Sequence, residues 1–147
     1  MSLLPGLFAA SLLQASAPAL PAQGWVWTLY DNGNPTVVLA EEVPDTPHLR
    51  ATLECVQGSS QARLIHYQAP DAASGSANLS AGTARQEAPA TIAGQRLSLS
   101  LNVGTPVFRG LITSGRLSFS LEDQTTEVRF DRQSLPRLRR FAELCAG

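Results

Sequence analysis

Residues 96–103 read Arg-Leu-Ser-Leu-Ser-Leu-Asn-Val, with Leu97, Leu99, Leu101 and Val103 on one parity and Ser98, Ser100 and Asn102 on the other. A period of two sends all the apolar side chains to one face, which a helix of 3.6 residues per turn cannot do. The run is therefore a strand with one buried face, the pattern of antiparallel sheets solvated on the other side. The same alternation recurs along the chain. Trp25, Trp27 and Leu29 alternate with Val26, Thr28 and Tyr30. The turn signal Asp31-Asn32-Gly33-Asn34-Pro35 follows, and the β-branched run Thr36–Glu41 returns. Leu49, Ala51, Leu53 and Cys55 alternate with Arg50, Thr52 and Glu54, and Gly58-Ser59-Ser60 turns the chain into Ala62–Tyr67. Gln68–Ser76 reads as a loop. Ala77–Glu87 alternates weakly in small residues, and Pro89 restricts it to an edge or an end.

The C-terminal third is the most explicit part. Thr105 is a good N-cap, Pro106 suits the first helical position, and Gly115 suits a left-handed C′ position. Between them Val107, Phe108, Leu111 and Ile112 share one face. A hairpin follows, with Leu117, Phe119 and Leu121 in one strand, Val128 and Phe130 in the next, and Glu122–Thr125 as the turn. Ser134 is the expected cap of a last helix in which Leu135, Leu138, Phe141, Ala142 and Cys145 lie together.

These runs predict about eight strands and two short helices. The expected fold is mainly β, an antiparallel β-sandwich whose C-terminal helix is tied to the sheet by a disulfide. The alternative is an α+β layer of one sheet with both helices on a face. At 147 residues the chain suits one domain. Residues 1–22 are set apart as a signal peptide: Leu3 to Leu13 is apolar but too short to span a bilayer, and Ala17-Pro18-Ala19 matches a cleavage site. Residues 23–147 then form the single β-rich domain, with no membrane-spanning segment once the signal is removed.

The two cysteines, Cys55 on an inward strand face and Cys145 on the apolar side of the last helix, make an even count that agrees with export. A bridge between them closes a loop of about 90 residues, for which chain entropy gives roughly 4–5 kcal/mol as an upper figure. Neither has Cys or His neighbours at zinc-ligand spacing, so no metal is expected. All 11 basic residues are Arg, and the net charge of −1 gives no electrostatic ground for nucleic-acid binding.

No catalytic or cofactor-binding residue is predicted. Serines occur in neither a G-x-S-x-G elbow nor an S-x-x-K pattern. No phosphate-cradling loop is present. His48 and His66 are the only histidines, and a small hydrolase would use one of them with a Ser or Asp brought near by folding. Trp25 and Trp27 suit a ligand platform or, more simply, a core. Arg132, Arg137, Arg139 and Arg140 suit a solvated helix face or an acidic partner.

Pro106-Val107-Phe108-Arg109-Gly110-Leu111, Gly115-Arg116-Leu117 and Ser134 through Cys145 give a helix, strand hairpin, helix order behind a leader and a β-rich body. This third of the chain resembles the invasion-associated locus B family and accessory proteins of type VI secretion. The resemblance implies a small periplasmic architecture and assigns no functional residue. The expected function is that of a periplasmic or secreted, non-catalytic domain binding a protein or an envelope component. An alternative is an inhibitor of a lytic enzyme or protease that presents Gln68–Ser76; a small hydrolase ranks third.

Overall fold

A computed structural model describes residues 24–32 and 35–147. The signal-peptide reading of residues 1–22 lies outside these residues. Nine strands are present among them: β1 (Val26–Tyr30), β2 (Thr36–Glu42), β3 (Leu49–Val56), β4 (Gln61–His66), β5 (Gly75–Ala81), β6 (Ala84–Ala93), β7 (Arg96–Asn102), β8 (Arg116–Leu121) and β9 (Gln124–Arg129). Helix α1 (Pro106–Ser114) joins β7 to β8, and α2 (Leu135–Ala146) follows β9.

All strands pair antiparallel in one sheet, in the order β1-β2-β3-β4-β7-β6-β5-β8-β9. The chain is mainly β with two helices, as the alternation predicts, and the sheet curls into a half-barrel. The curl lets one sheet supply two facing layers. His66 on β4 meets Phe119 on β8 edge-on at a centroid distance of 6.0 Å, although the two strands are four places apart in the sheet. The order β4-β7-β6-β5 is a Greek key: β5 starts away from β4 and the meander returns to it.

The core is the inward parity read strand by strand. Leu39, Leu53, Leu64 and Leu99 are successive cross-strand partners, all 0–1% exposed. Such neighbours on one face are the unit of sheet stabilisation. Helix α1 covers β5, β6 and β8, while α2 covers β1 and β2. Leu138 and Phe141 of α2 are fully buried, and each contributes about 1.5–3 kcal/mol by leaving water.

Helix α1 forms as its sequence requires. The Thr105 hydroxyl accepts from the Phe108 N–H at 3.3 Å, and Gly115 closes the helix at φ 73°, donating to the Leu111 carbonyl at 2.7 Å. Two glycines let it sit close. A methyl at Gly110 would overlap the Ala81 carbonyl oxygen, and one at Gly115 would lie 2.7 Å from the Phe130 carbonyl oxygen.

Three local expectations are corrected. Ala77–Glu87 is two strands: Gly82, at φ 60°, turns the chain between β5 and β6. Pro89 lies in an interior strand, at the residue before β6 begins to pair with β7 at Ala90, so its missing donor falls beside that ladder. Ser134 makes no side-chain cap to α2. Ser134 does stand at the N-cap position, but its N–H and hydroxyl both donate to Asp131 Oδ1, at 2.8 and 2.7 Å, which ties it to the turn before the helix.

A cleft where the ends of the sheet meet

Strand β2 carries Val37, Leu39 and Glu41 on its inward parity. The first two are core; the third places a carboxylate on an apolar face. Glu41 is 9% exposed and stands between Trp27 of β1 and Ala51 of β3 in the register. Opposite it the ladder slips: Glu41 pairs with Ala51 and Glu42 with Leu49, which leaves Arg50 as the extra residue of a bulge. A bulge re-aims the side chain it carries. Arg50 reaches Glu41 Oε1 with one terminal nitrogen at 3.0 Å, and its guanidinium carbon sits 4.1 Å from the centre of the Trp25 ring. An arginine is thus held between an indole face and a buried carboxylate.

The other wall comes from the far end of the sheet. Trp27 stacks on Phe130 at 3.9 Å and 19°, and its indole N–H donates to the Arg129 carbonyl at 2.9 Å. Trp27 therefore joins the first strand to the end of the last. Beside it Asp131 holds Ser134. Gly24, Trp25, Trp27, Glu41, Arg50, Arg129 and Asp131 enclose an open cleft of about 470 Å³, within the usual range for small-ligand sites.

Burial raises the Glu41 pKa, against the lowering effect of the Arg50 charge and hydrogen bond. The hydrogen bond from the Ser134 hydroxyl, above all, lowers that of exposed Asp131. Burial also lowers the His66 pKa; its hydrogen-bonded contact with the Gln68 carbonyl opposes this, and the Arg50 charge adds to it.

The predicted residues fall as follows. Cys55 and Cys145 are joined, with Cα atoms 6.0 Å apart and both side chains buried. Trp25 and Trp27 divide: Trp27 enters the core, and Trp25 stays half-buried at the rim of the cleft. His66 Nδ1 faces the Gln68 carbonyl at 3.1 Å, and its ring meets Phe119. Exposed His48 lies in the segment leading into β3, its N–H donating to the Thr46 hydroxyl at 3.3 Å. The arginines at 132, 137, 139 and 140 are exposed, with Arg140 near Glu143 at 3.4 Å.

The Gln68–Ser76 segment is tied to the sheet rather than projecting from it. The Ala69 N–H donates to the Gln95 carbonyl, the Gln124 amide to the Asp71 carbonyl and the Ile92 N–H to the Ser74 hydroxyl. Among the described residues no group of three or more His, Cys, Asp or Glu is placed to hold a metal ion, and no helix is long and apolar enough to cross a membrane.

The Glu41–Arg50 pair escapes the sequence reading. Its signal was a charged residue on the Val37, Leu39 parity; the bulge that turns Arg50 inward has no such mark. No protein-family model, curated protein or solved structure matches this chain.

Proposed function

We propose that this is an exported, non-catalytic binding domain of the periplasm or the extracellular space, which takes an envelope component in the cleft between the ends of its sheet. The observation that carries this reading is the Trp25–Arg50–Glu41 stack facing an open cleft. A carboxylate on a core parity is costly unless paired, and here it serves to hold a guanidinium at a rim. Export is supported by a buried disulfide that spans 90 residues, a cross-link that persists in oxidising compartments. The resemblance to periplasmic families points the same way.

The test is surface plasmon resonance with the immobilised protein and an envelope extract of the source cells. The expected result is a response that drops in a Trp25→Ala variant of unchanged melting temperature. An equal response from both proteins, or none from either, contradicts the reading.

A further inference from the structure

The half-barrel leaves two edge strands, β1 and β9, and they are built differently. An edge strand carries unpaired N–H and C=O groups that can pair with another chain, and charged residues on an edge discourage this. Strand β9 carries exposed Glu127 and Arg129 among its six residues. Strand β1 is Val-Trp-Thr-Leu-Tyr, with no charge, no proline and no glycine. Among the described residues, no backbone hydrogen bond joins Val26–Tyr30 to anything but β2. Helix α2 does not fill the space beside this edge. A recess of about 240 Å³ is lined by Val26, Trp27 and Thr28 on one side and by Gln133, Ser134 and Arg137 on the other. The outer face of β1 is also apolar: Val26 and Tyr30 are each 42% exposed, two of the four large apolar side chains left exposed among the described residues.

We propose that β1 is a homodimer interface, pairing antiparallel with β1 of a second copy about a two-fold axis at Thr28. The strand is complementary to itself in this register. Val26 falls opposite Tyr30 of the second copy, an aromatic–β-branched pair, and Thr28 falls opposite Thr28; both pairings stabilise sheets. On the inner face Trp27 falls opposite Leu29, which is only partly buried in one copy. Charge agrees. Asp31 follows the strand, and Arg50 lies over Trp25 just before it. The register sets Trp25 opposite Asp31 of the second copy, so each Asp31 carboxylate approaches the other copy's Arg50. That guanidinium has one terminal nitrogen committed to Glu41, and its side chain is 42% exposed. A parallel pairing would instead set Asp31 beside Asp31. A second copy is favoured over a foreign strand because one sequence supplies all of these matches. Such a contact is isologous and closes at two copies. The five residues of β1 give a contact of about 17 Å. This is below the standard size of stable complexes, so the dimer is weak, with a dissociation constant in the micromolar range.

The test is sedimentation velocity of the natural protein from about 5 to 500 μM. The expected result is a monomer–dimer equilibrium. Thr28→Lys sets two ammonium groups face to face at the axis and should weaken it about tenfold or more, with an unchanged melting temperature at the lowest concentration. Thr125→Lys, on the exposed outer face of β9, should dimerise like the natural protein. A natural protein that stays monomeric throughout overturns the inference, and so does a dimer that Thr28→Lys leaves intact.

A companion experiment locates the contact without a charge at the axis. Thr28→Cys and Thr125→Cys are each treated with a short bis-maleimide. Cross-linked dimer from Thr28→Cys and none from Thr125→Cys supports the interface. Cross-linking from Thr125→Cys alone, or from neither, overturns it. Both experiments are read with no envelope component present, so their outcome does not depend on the binding reading above.

Discussion

Helix α2 is held differently at its two ends. At its C-terminus the attachment is covalent. Cys145 is bonded to Cys55, and the Leu144 and Cys145 carbonyls accept from the Gly58 and Ser60 N–H groups at 3.1 and 2.8 Å. At its N-terminus the attachment is wholly non-covalent: Asp131 with Ser134, the Phe130 ring on Trp27, and the Trp27 indole on the Arg129 carbonyl. The cleft lies at the second end. The contrast separates two tasks. A bridge between distant segments limits the unfolded chain and needs no freedom in the native state. A site that admits a ligand is better placed where contacts are individually small and can readjust, since low local stability and binding often coincide.

The comparison breaks most visibly when the staple is cut. Replacing Cys145 by Ser opens a 90-residue loop and should lower stability by up to roughly 4–5 kcal/mol, read as a fall in the urea midpoint with an unchanged far-ultraviolet spectrum. The non-covalent end is tested by Gly115→Ala. Gly115 sits at φ 73°, and its carbonyl accepts from the Phe130 N–H at 2.7 Å. The substitution adds left-handed strain and a clash with the Phe130 carbonyl, so a loss of about 2 kcal/mol is expected in the same denaturation.

A finer probe is Trp27→Phe, which keeps a ring on Phe130 and removes the N–H bond to Arg129. It should cost about 1 kcal/mol and speed amide exchange in β1 more than in β3. Equal acceleration in the two strands would mean that the seam and the stapled end are not independent.

The smallest effect is a slope in pH. His66 is held neutral when folded, its pKa lowered by burial. The unfolded chain therefore takes up the proton first, and this share of stability is complete above the unfolded pKa of about 6.5 and lost as the pH falls below it. Melting temperatures between pH 7.5 and 5.5 should decline for the natural protein and flatten in His66→Gln.

How legible each region was follows from the contrast of its side chains. The C-terminal third could be read almost residue by residue, because Thr105, Pro106, Gly115 and the Leu/Phe alternation of β8 each admit few conformations. The disulfide was legible because Cys55 and Cys145 both lie on apolar parities. The β5–β6 hairpin was hidden, since alanines and serines give little difference between the two faces, and Gly82 alone marked the turn. Ser134 was read at the right position, the N-cap of α2, but its hydroxyl is spent on Asp131, a partner that capping propensity does not reveal. The cleft was the least legible feature. It needs the sheet to curl until Trp27 reaches Arg129, and it needs a bulge to turn Arg50 toward Glu41. Both are outcomes of long-range pairing, which local pattern does not encode.

The most direct test uses the tryptophans themselves. The chain has two, Trp25 and Trp27, and both line the cleft. A ¹⁵N-labelled sample therefore gives two indole N–H signals. On titration with the envelope component that the protein captures, the account predicts that the half-buried Trp25 signal moves progressively, while backbone signals around Cys55 and Cys145 stay in place. Indole signals that remain fixed while shifts gather at the stapled end would contradict it.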